Sequence, residues 1–134
     1  MVSPLVFPTT PSALAARQAA ELAGDFSERL LGVFLGLCEN PRTRQWILRM
    51  VRSSVTSARA GRALYRVLNG TVVNPVARAT GVQASALRIE LVCGQLVGLA
   101  MMRYVLHIEP VASASVEEVV REYSPALRAT LRAG

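Results

Sequence analysis

The segment LRIELVCGQLVGLAMMRYVLHIEP, from Leu87 to Pro110, carries no charge between Glu90 and Arg103, and Gln95 is the only strongly polar side chain in that interval. Leu, Met and Ala favour helix, which leaves Gly94 and Gly98 as its weak points. The uncharged core is shorter than the roughly 20 apolar residues of a membrane span, so the segment predicts a buried helix and no membrane partner. At 100° per residue one side carries Leu87, Leu91, Gly94, Gly98, Met101 and Val105. The opposite side carries Ile89, Val92, Cys93, Leu96 and Ala100. A helix that is apolar on two sides needs neighbours on both. One side is expected to pack on its own domain, and the other against a second copy of the chain.

The flanking sequence supplies further helices. Asp25 and Glu28 form an Asp version of the capping box, followed by Phe26, Leu30, Val33, Phe34, Leu37 and Cys38 on one helix face. Asn40-Pro41 provides a cap and a proline at the first helical position. The next helix turns Trp46, Ile47, Met50 and Val51 inward and Arg42, Arg44, Arg49 and Arg52 largely outward. A break is expected near Val55 to Ser57. A further helix takes Leu64, Val67, Leu68, Thr71, Val72 and Val76, with Pro75 expected to bend or end it. Gly81 is the next stop. Ser115 and Glu118 form a capping box that opens a final helix with the stripe Val116, Val119, Val120, Tyr123, Leu127 and Leu131, and Pro125 inside it predicts a kink. Upstream, Pro4, Pro8 and Pro11 make residues 1–11 an extended lead-in, and Ser12 caps a short helix that runs to Gly24. No stretch alternates as a strand, so residues 12–134 predict one all-α domain, an antiparallel bundle of five to six helices.

The chain has 134 residues, a hydrophobic content of 51% and a charged content of only 18%, which suits a domain that also buries an interface. The formal charge is +6, and every basic residue is an arginine. Such a balance brings nucleic acid or an acidic partner into view. The arginines are spread from Arg17 to Arg132 without a basic run or interleaved aromatics, so solvated helix faces are the simpler reading. Cys38 and Cys93 lie in apolar helical patterns without metal-ligand spacing and read as buried thiols in a reducing cytoplasm. MVSPLVFPTTP lacks the basic start and apolar core of a secretion signal, which again points to the cytoplasm.

Catalysis finds little support. With one His, one Asp and no Lys, the polar residues do not converge, and His107 has only Glu109 nearby in sequence. No phosphate loop, nucleophile elbow or metal cluster is present, and neither a catalytic residue nor a cofactor is expected. Gly94 and Gly98 remove side chains where another helix must approach, and with the final helix they suggest a four-helix contact between subunits. Phe34, Cys38, Trp46, Met50 and Tyr65 place large or soft side chains on consecutive helices. They either line a ligand cavity or fill an ordinary core.

The segments GQLVGLAMMRYVLHIEPVASASVEEVV (Gly94–Val120), YSPALRATL (Tyr123–Leu131), FSERLLGVFLGLCENP (Phe26–Pro41) and LVFPTTPSALAAR (Leu5–Arg17) stand out together. They resemble the C-terminal, ligand-sensing and dimerising domain of TetR-type transcriptional regulators, in an actinobacterial-style subgroup. The subgroup's Gln-Leu-x-Gly-Leu, Arg-Tyr-Val-Leu and Glu-Pro-Leu-Ala-Ser patterns correspond to Gln95–Leu99, Arg103–Leu106 and Glu109–Ser113, with Val111 in place of Leu. The resemblance implies a homodimer through the last two long helices, with Leu91, Gly94, Gly98, Met101, Val120, Tyr123 and Leu127 at the interface. It also implies a pocket for a small hydrophobic effector among the preceding helices, with Phe34, Cys38, Trp46, Met50, Tyr65 and Val97 as candidates. The family's helix-turn-helix domain has no counterpart here, so operator binding is not expected of this chain alone. A rival expectation is a headless module that pairs with a full-length relative and modulates it.

Overall fold

The computed structural model describes residues 24–132. The lead-in and the helix expected from Ser12 onward lie outside the described residues. Regular structure among the described residues is entirely helical: α1 (Phe26–Glu39), α2 (Pro41–Ser53), α3 (Ala58–Leu68), α4 (Asn74–Thr80), α5 (Ala86–Ala100) and α6 (Val116–Arg132). Two π-turns, Asn69–Val73 and Met101–Val105, join α3 to α4 and extend α5.

Local chemistry sets the boundaries. Asp25 accepts the Glu28 N–H at 3.0 Å while Glu28 accepts the Asp25 N–H at 3.1 Å, completing the box that starts α1. Asn40 accepts the Arg42 N–H at 2.9 Å and starts α2. Thr43 secures that corner from inside, its buried hydroxyl donating to the Leu37 carbonyl at 2.5 Å. Ser57, Ser85 and Ser115 accept the N–H groups of Ala60, Arg88 and Glu118 at the starts of α3, α5 and α6. Gly81 stops α4 in the left-handed region at φ 72°, where glycine is least strained. His107 does the same after the second π-turn at φ 53°, and it is exposed.

The helix expected to bend or end at Pro75 continues to Thr80. Asn74 donates to the Asn69 carbonyl five residues back, a wide turn that places Pro75 in the first turn of α4. A missing N–H costs least there. Pro125 lies inside α6, which continues to Arg132.

The most enclosed helix is α1. The pattern of one apolar face is an underestimate, because Leu31 and Leu35 are as fully buried as Leu30, Val33 and Leu37. α6, α2, α4 and α5 all pack against it, so a helix that is apolar on several sides occupies the bundle centre. By contrast α5 buries one side only. Val92, Cys93, Leu96 and Ala100 face the core, while Leu87 and Leu91 remain 64% and 52% exposed.

Candidate functional site

The open side of α5, the connection that follows it and the start of α6 enclose an apolar groove of about 1050 Å³. Leu91, Gly94, Gly98, Leu99 and Met102 line it from α5, and Val119 and Tyr123 from α6. Pro110, Val111 and Ala114 close one side, and Glu90, Glu118 and Glu122 bring carboxylates to it. A Cβ built on Gly94 or Gly98 would meet nothing within 4 Å. The glycines therefore serve no packing need inside the protomer. Gln95 also lines the groove, and its buried Oε1 has no hydrogen-bond partner among the described residues.

Four of the seven residues expected at an interface, Leu91, Gly94, Gly98 and Tyr123, meet in this groove. Met101 and Val120 instead pack half-buried against the core. Met102, which the sequence reading left out, takes the place expected for Met101. Met102 follows Gly94 and Gly98 at the same spacing of four, so ordinary helical register puts it on this edge, and the wide hydrogen bond from Leu106 to the Met101 carbonyl closes only beyond it. Leu127 requires correction: it is wholly enclosed within the protomer and belongs to the core. The stripe on α6 is continuous in sequence, but α1 covers part of it.

A second apolar space lies between α1, α2, α3 and α5. Its volume is about 20 Å³, and Phe34, Trp46, Met50 and Val97 line it with Ile47, Leu64, Leu68 and Val72. That is room for about one water-sized molecule and far below the roughly 300 Å³ at which ligand pockets begin. Cys38 and Tyr65 do not line it. Cys38 points into the bundle centre, where burial pushes its thiol up to about 12, so it is an inert core residue. Tyr65 sits one position round from Leu64 and faces α5. Burial chiefly raises its phenol, with Cys93 and Glu90 adding to the effect.

Polar contacts tie the groove to the rest of the bundle. Arg103 is buried, and its guanidinium donates to the carbonyls of Val111 at 2.7 Å and Ala114 at 2.6 Å. It also reaches Glu39 at the end of α1 at 3.3 Å. The Tyr104 hydroxyl donates to the same Glu39 oxygen at 2.7 Å. That hydroxyl first, and Arg103 second, hold the Glu39 carboxyl below the usual range against the cost of burial. Arg44 approaches the Tyr104 ring at 5.6 Å from its centroid. Hence Arg103 and Tyr104 fix one wall of the groove to α1.

Cys38 and Cys93 are both free and buried. Among the described residues, no group of three or more His, Cys, Asp or Glu side chains is placed to hold a metal ion. No helix among them is long and apolar enough to cross a membrane.

Comparison with known proteins gives one result. The family described as "Tetracyclin repressor-like, C-terminal domain" matches residues 24–131, nearly the whole described chain. No curated protein and no solved structure matches significantly. An all-α bundle, an α5 helix buried on one side only and a family match over residues 24–131 lead to one conclusion: the chain belongs to the C-terminal domain family of TetR-like transcriptional regulators.

Proposed function

We propose that this domain is a homodimer formed through the α5–α6 groove and that it binds a small hydrophobic effector between α1, α2, α3 and α5. The observation that carries the first part is the glycine edge. Two glycines four residues apart leave open space between Leu91 and Met102, which remain 52% and 41% exposed. Monomeric proteins rarely present such a contiguous apolar surface to water. Packing against the same groove of a second copy covers it by two-fold symmetry and offers Gln95 a donor. In the family's terms, the effector then alters the dimer's geometry, and with it the fit of attached DNA-binding domains to operator half-sites.

The effector site is lined by aliphatic and aromatic side chains, with the Thr71 hydroxyl turned to its own helix at the Val67 carbonyl. With only about 20 Å³ free, an effector has to separate α2 and α3 from α1 and α5. Trp46 is the only tryptophan of the chain and stands in this wall. Its emission therefore reports occupancy directly. Titration with small apolar molecules is expected to shift Trp46 emission and raise the melting temperature together, and Val97→Phe is expected to abolish both. Sedimentation is expected to find a dimer. A monomer at all accessible concentrations refutes the first part, and emission indifferent to every apolar probe refutes the second.

A further inference from the structure

The arginines are less dispersed than their span suggests. Residues 41–80 contain eight arginines and no Asp or Glu, so the net charge is +8 there and −2 over the rest of the chain. All eight, Arg42, Arg44, Arg49, Arg52, Arg59, Arg62, Arg66 and Arg78, are exposed. The ion pairs among the described residues involve Arg103, Arg121 and Arg128, and none involves these eight. On α2 the core positions are Thr43, Ile47, Leu48 and Val51, and Arg42, Arg49 and Arg52 project from the opposite side. On α3 the core positions are Leu64 and Leu68, and Arg59, Arg62 and Arg66 project opposite. The acid-free interval was visible in the sequence, but the outward register and the absence of ion pairs to these eight among the described residues required the structure.

We propose that the outer surface of α2 and α3 binds the phosphate backbone of duplex DNA without reading its sequence. Arg59, Arg62 and Arg66 span about 10 Å at the helical rise, a repeat that can follow a strand of phosphates. Duplex DNA offers one negative charge per ~1.7 Å of axis, and guanidinium groups engage phosphate oxygens in a planar fork. An acidic protein fits less well, because protein interfaces set aromatic and apolar anchors beside their arginines. Over residues 41–80 the only exposed large hydrophobic residue is Val55, in the turn between the two helices. An anionic lipid surface fits less well for the same reason, since interfacial helices insert an apolar face. This surface is separate from the groove and from the small void, so the proposal stands whatever becomes of the effector and dimer assignments.

The test uses the whole 134-residue chain and fluorescence anisotropy with a labelled duplex of arbitrary sequence. Affinity is expected to fall with salt between roughly 50 and 200 mM, the logarithmic slope losing about 0.9 for each phosphate contact removed. Arg49→Gln/Arg52→Gln and Arg59→Gln/Arg62→Gln are each expected to flatten the slope by about 1.8. Arg121→Gln/Arg132→Gln on α6, with the same change of charge, is expected to leave it unchanged. All six side chains are exposed, so circular dichroism is expected to stay native. Absence of binding at low salt overturns the proposal, as does an equal loss in the α6 variant. Tighter binding of polyglutamate, or of phosphatidylserine vesicles, than of duplex at equal charge also overturns it, in favour of an acidic protein or a membrane.

Discussion

Gly98→Leu separates packing within the protomer from packing between protomers. A Cβ at Gly98 meets no atom within 4 Å and Gly98 faces the open groove, so in the single protomer the leucine side chain starts out into free space. The substitution also replaces the poorest helix former but proline with a good one, a gain of about 0.8 kcal/mol for α5 in isolation. Across a dimer interface the sign reverses. Packed helices lie about 8–10 Å apart, and a leucine at a glycine position holds them off, at about 1–3 kcal/mol per overpacked site. Two-fold symmetry presents the site twice, giving about 2–6 kcal/mol, or roughly 30-fold to 10⁴-fold weaker association at 1.4 kcal/mol per tenfold. Sedimentation equilibrium measures the dissociation constant, and urea denaturation at concentrations below it measures the monomer. The expected pair of results is a weakened dimer made of an equally or more stable monomer. An unchanged dissociation constant refutes the groove as the interface. A destabilised monomer refutes the premise that the glycine edge is free inside the protomer.

Other substitutions test the remaining assignments. Leu127→Ala is expected to cost about 2–5 kcal/mol in urea denaturation, because it opens a cavity in a fully enclosed site, whereas Tyr123→Ala is expected to weaken dimerisation more than folding. Arg103→Met removes the donor to two groove-wall carbonyls and to Glu39, and a loss of about 3 kcal/mol is expected, with Arg103→Lys recovering little of it. The Glu39 carboxyl is held below its ordinary value of 4.5, so its contribution is present above that value and lost as pH falls through the depressed one. The gap in melting temperature between wild type and Glu39→Gln is therefore expected to be largest near neutral pH and to close in acid. A gap that is constant with pH contradicts the assigned contacts.

Much of this architecture was legible residue by residue. Caps are local: an Asp, Asn or Ser oxygen two or three residues before a free N–H needs no tertiary information, and Asp25, Asn40 and Ser115 behave as their spacing predicts. Gly81 stops α4 for an equally local reason. The break before Ala58 was likewise announced by Ser53, Ser54, Thr56 and Ser57. Half of the groove was legible too, since Gly94 and Gly98 with Leu91 mark a helix edge stripped of side chains.

What periodicity could not settle is which apolar face a neighbour covers. α1 and α5 are both apolar on more than one side, yet α1 is covered over most of its circumference, leaving partly open an edge that includes Glu28, Gly32 and Glu39, and α5 on one side only. Helical spacing records where side chains point relative to their own axis, and it is silent about how many other axes surround that helix. For the same reason Leu127 and Tyr123 share a stripe in sequence but part company in space, one under α1's cover and the other at the groove. Met102, by contrast, follows Gly94 and Gly98 at a spacing of four, so the sequence already held this groove residue in place of Met101. The Arg103–Tyr104–Glu39 contact joins residues more than sixty positions apart. Composition and spacing set the helices and their caps, and only the packing of those helices determined which surfaces remained for a partner.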